Sequence, residues 1–472
     1  MSFQLRPVQE NPDQILTAAQ MRAAEQVLID SESSVDELMQ RAGRGAAEWV
    51  WRMAAGRSVT VLCGPGNNGG DGYVIAEALR TRGGPVSVVA AADPQTAAAR
   101  NARSLFQGEV LGPSSELHGE VLVDCLFGTG LIRPLSDEIC GLLIRLATSH
   151  RQRIAVDLPS GVASDSGEML NPGLPTFDLT LALGAWKLAH FLMPAAARMG
   201  LIRLVPIGVT ACNGAAQVIP RPQFAPPAVD AHKYTRGLLG VIGGAMPGAA
   251  ILAARAAQHA GAGYVKLLGE GGATPPDLVH DARPLPESLN DRRLNALLVG
   301  PGLGREASAR EALTLALAEQ RPAVLDADAL MLLGPRLLAE HAAPLIVTPH
   351  EGEMKALEAA FGCSGAGSKI DRALALARAC DAVVVAKGPG TVVAAPDGRI
   401  ALAGRASSWL STAGTGDVLA GTIASRLASG ADAFTAACSG VWLHGEAAPL
   451  ARPPFTASEL AASIKDAYAA CL

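Results

Sequence analysis

Short apolar runs of strand length, each closed by a turn-forming or acidic residue, recur along almost the whole chain and alternate with segments of helical composition. In the first half they fall at residues 58–63, 85–91, 121–127, 153–158, 179–183 and 201–207, with helical segments such as 73–82 and 137–147 between them. In the second half they fall at 237–243, 264–268, 296–300, 323–326, 344–348 and 382–387, and a hairpin is expected through Pro396, Asp397 and Gly398. A strand that is apolar throughout, rather than at alternate positions, is buried on both faces, and intervening helices supply the two covers. The expected fold class is α/β, built on parallel sheets.

A chain of 472 residues exceeds what one core usually supports, so two large domains are expected. The alternation lapses at 213–230 (NGAAQVIPRPQFAPPAVD), a proline-rich stretch without helical period that reads as a linker. The expected domains are residues 1–215 and 222–472, unrelated in sequence and joined by fusion. Residues 16–50 read as helical with Thr17 as a cap, and the chain from Asp417 onward reads as mainly helical. Aromatic residues make up only 4%, so both cores must be packed with aliphatic side chains.

Charge and cysteine usage narrow the function. A net charge of −5 without any long basic run argues against a nucleic-acid surface. The eight cysteines are scattered, with no C-x-x-C pair and no zinc-ligand spacing, and several sit inside apolar runs as buried thiols would. The N-terminal segment lacks a signal-peptide pattern, and no apolar stretch reaches ~20 residues without a charge or breaker. A soluble protein of the cytoplasm, acting on small molecules and on neither membrane nor nucleic acid, is expected.

Two glycine-rich segments follow strands and open helices: GPGNNGGDG at 64–72 and AGTGD at 413–417. Glycine lets the backbone approach a ligand closely, and a helix start offers free N–H groups and the positive end of its dipole to phosphate. One such site in each half suggests two active sites.

In open α/β sheets ligands bind beyond the carboxyl ends of strands. Three such ends in the first half carry polar groups: the NNGGDG segment, Asp124 followed by FGTGL at 127–131, and Asp157 followed by LPSG at 158–161. Backbone N–H groups there can cradle phosphate, Asn68, Asp124 and Ser160 offer hard oxygens for a cation, and Asp157 remains as an acid/base group. Taken singly, the same glycines make turns and the same aspartates cap helices. In this order and spacing, GPGNNGGDGYVIA, VDCLFGTG and VDLPSGV resemble the NAD(P)H-hydrate epimerase domain over about residues 10–210. The resemblance implies a Rossmann-like three-layer sheet that interconverts the R and S forms of NADHX or NADPHX, with potassium bound. It implies that Asn67, Asn68, Gly69, Gly70, Asp71, Gly128, Thr129, Gly130, Leu131, Ile132, Arg133, Pro134 and Asp157 bind the hydrate. Potassium would sit on Asn68, Asp124 and Ser160. Asp157 could act as a base or stabilise positive charge on the ring, and the sequence leaves both roles open.

In the second half, N–H groups over 414–417 would form an anion hole with Asp417 at its edge, placed to take a proton from a hydroxyl attacking phosphorus. A short G-x-G-D is also a plain helix start, His350 alone reads equally well as a structural histidine, and Lys387 as a solvated strand-end lysine. GPGLG, TPHEGE, KGPGT and AGTGDVLAG in this order are similar to ADP-dependent NAD(P)H-hydrate dehydratase, a ribokinase-like α/β fold, over about residues 225–470. The resemblance implies that Lys387, Gly388, Pro389, Gly390, Thr391 and Gly416 bind ADP with Mg2+. It also implies that His350, Asp417, a glycine of the Gly302/Gly304 pair and Ala249 or Ala250 contact the hydrate. A homo-oligomer is expected by analogy. The rival readings are a ribokinase-like small-molecule kinase with a nucleotide-binding regulatory domain, and a non-catalytic dinucleotide binder. The presence of both Asp157 and Asp417 speaks against the last.

Overall fold

The computed structural model describes residues 13–31 and 33–472, and the chain divides into two compact units, Met1–Gln217 and Val218–Leu472. The first unit is built on a parallel sheet in the order Val110–Leu111, Val86–Ala90, Val59–Cys63, Gly119–Cys125, His150–Val156, Leu179–Leu183, Leu201–Val205. Alternate side chains of its strands go to opposite cores. Val61, Val123 and Ile154 pack with Ala42, Ala46 and Val50 of helix Val35–Ala54 and Ala76 and Leu79 of helix Asn67–Thr81. Leu62 and Leu122 pack with Leu142, Leu143 and Leu146 of helix Asp137–Ser149 on the other face. These continuous apolar strands are thus buried on both sides, as their composition requires. The strand order reverses between Val59–Cys63 and Gly119–Cys125, where Cys63 pairs with Cys125, so the loops leaving these two strands part and open a crevice.

Three local features differ from the sequence reading. Residues 16–50 form two helices, Ala18–Asp30 and Val35–Ala54, because Ser34 and Glu37 close a second capping box after that of Thr17 and Gln20. The helix expected from residue 73 begins at Asn67, so the glycine segment is its first turns rather than a loop. Within the expected linker, Ala216–Val218 is a strand, pairing antiparallel with Gln14–Leu16. Three residues are too few to show a period, and the pairing is with a segment far away in sequence.

The second unit carries seven parallel strands in the order Val279–Asp281, Tyr264–Leu268, Leu238–Ile242, Ala296–Val299, Ala323–Leu325, Leu345–Val347, Val383–Ala386. The expected hairpin follows, with Val392–Ala394 and Ile400–Leu402 antiparallel at the edge. Here the order reverses between Leu238–Ile242 and Ala296–Val299. Helix Thr415–Ala428 lies so close to helix Pro247–His259 that a Cβ on Gly421 would come 2.0 Å from the Ala253 carbonyl oxygen. The alanine-rich faces of these helices serve this close approach, and Ala253, Ala254 and Ala257 are fully buried. Among the described residues no helix is long and apolar enough to cross a membrane.

Candidate active sites

Asp157 follows strand His150–Val156 with φ of 67°, in the left-handed region that few non-glycine residues occupy. Its carboxylate is saturated with donors. Oδ2 accepts from the Thr129 N–H at 2.8 Å and the Thr129 hydroxyl at 2.6 Å. Oδ1 accepts from Lys187 Nζ at 2.5 Å and, at 3.4 Å, from the Leu183 N–H. Burial pushes the Asp157 carboxyl up, but the Lys187 ammonium and the two Thr129 bonds outweigh it and hold the group below its usual range. Gly128 is required beside it, since a Cβ there would lie 2.6 Å from Asp157 Oδ2. From that contact Gly130, Leu131, Ile132, Arg133 and Pro134 lead outward, and Ile132 is 88% exposed.

Across the crevice Gly66 caps helix Asn67–Thr81. The N–H groups of Asn67, Asn68 and Gly69 are first-turn donors without a helical partner, whereas Gly70 N–H already donates to Gly66 O at 3.1 Å. The cradle is therefore shorter than the sequence suggests, and Asp71 lies inside the helix. Burial, reinforced by Asp157 and Glu25 and opposed by Lys187, pushes the Asp71 carboxyl well above its usual range. Asn67 is engaged locally, its Oδ1 accepting from the Thr96 hydroxyl at 2.7 Å.

Asp124 and Ser160 are brought together. The Ser160 hydroxyl donates to Asp124 Oδ1 at 2.7 Å and the Ser160 N–H to Oδ2 at 2.9 Å. Asp124 is wholly buried, and among the described residues its carboxylate meets only neutral donors; burial, offset in part by these bonds, leaves its pKa at about 6. The Asn68 amide nitrogen is buried without a partner, and a half-turn of that amide would present its oxygen there instead. Asp124 and Ser160 thus present a buried carboxylate without a cationic partner and a hydroxyl, hard oxygens of the kind a monovalent cation takes, and Asn68 adds an unsatisfied buried amide.

Sequence reasoning missed Lys187 and His190. Lys187 is 1% exposed and His190 Nε2 bonds the Asp157 carbonyl oxygen at 2.9 Å while its Nδ1 accepts from the Lys187 N–H at 2.9 Å. A lysine inside the apolar run ALGAWKLAHFLM was the available signal, because a charge in such a run needs a buried partner.

In the second unit the AGTGD turn and the KGPGT turn meet. Gly414, with φ of 90°, caps helix Thr415–Ala428, and a Cβ on Gly416 would lie 3.6 Å from Lys387 Nζ. Lys387, which ends strand Val383–Ala386, points inward: its Nζ is 2.6 Å from Asp326 Oδ1 and 3.8 Å from Glu353 Oε2. Asp326 is buried and also accepts from the Thr348 hydroxyl at 2.6 Å. Asp417 lies beside this group. Burial, then the like charges of Asp326 and Asp328, raise its pKa to about 7 against the opposing pull of Lys387. Asp326 was not among the sequence candidates, although it closes the apolar run 323–326.

His350 caps helix Glu351–Ala360, its Nδ1 accepting from the Gly352 and Glu353 N–H groups at 3.0 and 3.2 Å, while its Nε2 lies 3.4 Å from Glu353 Oε1. The glycine loop after strand Ala296–Val299 runs against the start of helix Pro247–His259. Met246 N–H donates to Gly302 O at 2.8 Å, and Gly302 adopts φ of 65° with no room for a Cβ beside the Met246 carbonyl. Gly304 N–H donates to Asp328 at 3.0 Å. Ala249 is half-buried beside Gly302 while Ala250 is fully buried. Gly388, Pro389, Gly390 and Thr391 form the turn above Lys387, with the Thr391 hydroxyl donating to Gly388 O at 3.0 Å.

Two α/β units, each built on a parallel sheet whose strand order reverses and each carrying a buried or half-buried carboxylate near a glycine-rich helix start, define a two-unit α/β enzyme. The family described as YjeF-related protein N-terminus matches residues 35–189, and that described as NAD(P)H-hydrate dehydratase matches 239–469. The bifunctional NAD(P)H-hydrate repair enzyme Nnr of Salinibacter ruber is 32% identical, over 92% of this chain and 91% of that protein. Its counterpart in Mycobacterium leprae is 32% identical, over 96% and 99%. A Bacillus subtilis ADP/ATP-dependent NAD(P)H-hydrate dehydratase co-crystallised with ATP/Mg2+ is 27% identical over 53% of this chain and 95% of its own, with a TM-score of 0.44. The chain belongs to the family of bifunctional NAD(P)H-hydrate repair enzymes. Its activities are the epimerisation and the dehydration of hydrated nicotinamide cofactors.

Proposed function

We propose that epimerisation is the work of a domain of residues 1–215, within the first unit, at Asp157, and dehydration that of a domain of residues 222–472, within the second, at Asp417. The observation that carries this reading is that each unit has one buried or half-buried carboxylate, Asp157 or Asp417, together with a glycine-capped helix start.

In the first unit the N–H groups of Asn67, Asn68 and Gly69 receive phosphate, and the loop from Gly128 to Pro134 covers the hydrate. Inverting the ring carbon that bears the hydroxyl requires loss of that hydroxyl or ring opening, and either route develops positive charge shared with the ring nitrogen. Asp157, already holding four donors, is a poor proton acceptor, which supports its service as a fixed negative charge beside the ring. Asn68, Asp124 and Ser160 would hold potassium, which supplies a fixed positive charge to substrate oxygens.

In the second unit Lys387, Gly388, Pro389, Gly390, Thr391 and Gly416 hold ADP, while His350, Ala249, Gly302 and Gly304 line the place of S-NADHX or S-NADPHX. Asp417 takes the proton of the ring hydroxyl as its oxygen attacks the terminal phosphorus and AMP departs. The carbon–oxygen bond then breaks with phosphate as the leaving group, and loss of a ring proton restores the dihydropyridine. Among the described residues no group of three or more His, Cys, Asp or Glu is placed to hold a metal, so magnesium is assigned to the nucleotide phosphates. All eight cysteines are free thiols, which supports a place in the reducing cytoplasm.

With separated R and S hydrates, Asp417→Asn should abolish nucleotide-dependent dehydration and spare epimerisation, and Asp157→Asn should do the reverse. Dehydration at the wild-type rate in Asp417→Asn would overturn the assignment.

A further inference from the structure

We propose that Lys369, rather than the motif lysine Lys387, supplies the positive charge of the nucleotide turn and holds that turn closed. The inference rests on the reading that residues 387–391 take the nucleotide.

Lys387 is the obvious phosphate contact, but its ammonium is committed elsewhere: it lies 2.6 Å from Asp326 and 3.8 Å from Glu353, both buried. Its charge is therefore already neutralised from below. Lys369 is in the opposite situation. Its half-buried Nζ donates to Lys387 O at 3.0 Å and to Gly390 O at 2.7 Å, bridging the two ends of the turn. It is also the first residue of helix Lys369–Cys380, where a cation opposes the helix dipole. Among the described residues no carboxylate stands within ion-pair distance of it: Glu351 is held by Arg372 at 2.9 Å, and Asp371 on the same helix accepts from Ser368.

A cation kept in this place without an ion-pair partner is destabilising until an anion arrives. One ammonium proton remains after the two carbonyls are served, and Gly388 of the turn lies close by, since a Cβ there would come 3.4 Å from Nζ. The ammonium thus sits under the turn that, on this reading, takes the nucleotide. Burial, aggravated by Arg372 and relieved in part by Glu351, lowers the Lys369 pKa to about 8. The charge on the turn should therefore be lost in mildly alkaline solution.

The test uses the full-length enzyme, S-NADHX and ADP, with ADP KM and kcat followed across pH for the wild type and for Lys369→Met, Lys369→Arg and Gly388→Ala. Lys369→Met should raise the ADP KM about tenfold or more, as expected for a lost charge-assisted hydrogen bond, with a smaller effect on kcat and none on the KM for S-NADHX. In the wild type the ADP KM should rise as pH passes about 8, and Lys369→Arg, which keeps its charge, should remove that rise. An unchanged ADP KM in a folded Lys369→Met protein, or an alkaline rise that persists in Lys369→Arg, would overturn the inference. If the Met variant melts at a much lower temperature, the Arg profile decides. Gly388→Ala forces a side chain onto a φ of 134° and should disrupt the turn itself. If that variant binds ADP normally, the reading of residues 387–391 as the nucleotide site fails instead.

Discussion

Lys187 Nζ lies 2.5 Å from Asp157 Oδ1 in a place where the lysine side chain is only 1% exposed. The pair makes the first site a prepaid arrangement: the carboxylate is ionised and aimed before any substrate arrives. Lys187→Met should leave a buried charge without its partner, destabilise the first unit by about 3–5 kcal/mol and abolish epimerisation. The double variant Asp157→Asn/Lys187→Met should recover much of the stability and none of the activity. Urea unfolding together with an epimer assay checks both. Because the Asp157 pKa is lowered, its contribution to stability is complete above the ordinary aspartate value of 3.8 and is lost as pH falls below it.

Asp417, with a pKa of about 7, should impose an acid limb on the dehydration kcat, with activity falling as pH drops below neutrality and the carboxylate is protonated. Asp326→Asn removes a like charge and frees Lys387 to turn toward Asp417, so the limb should move to lower pH. A kcat profile of that variant that is superimposable on the wild type's would mean that Asp417 is not the titrating group.

His350 has two separable tasks. Its Nδ1 caps helix Glu351–Ala360, so His350→Ala should cost about 1 kcal/mol of stability. His350→Asn restores the cap but not the Nε2 that faces Glu353, and should regain stability while the KM for the S-hydrate stays raised. Recovery of KM along with stability would assign His350 a structural task only.

Potassium chloride should raise the melting temperature of the wild-type protein above its value in an equal concentration of a large organic cation. Asp124→Asn and Ser160→Ala should lose this difference, because each removes an oxygen from the buried set. An identical ion response in Asp124→Asn would exclude the site.

Much of this molecule was legible from its sequence, for a physical reason. Strands such as Val59–Cys63 and Leu179–Leu183 are buried at every position and announce themselves as continuous apolar runs. The residues at their ends, Asp157 among them, stand out because nothing structural demands a carboxylate there. What escaped was non-local. The strand Ala216–Val218 exists only by pairing with Gln14–Leu16. The onset of the helix at Asn67 was hidden because glycine and asparagine are weak helix formers, held there by packing against Met39 and Cys125. Lys187, Asp326 and Lys369 act on site residues 30, 61 and 18 positions away, separations that no local motif encodes.

The most direct test of two activities in one chain is the recovery of NADH, followed by its near-ultraviolet absorbance, from an equal mixture of R- and S-NADHX with ADP, magnesium and potassium. Complete recovery, dependent on ADP and faster than spontaneous epimerisation allows, is the expected result. Recovery that stops at the S fraction and then creeps at the spontaneous rate would contradict an active epimerase in the first unit.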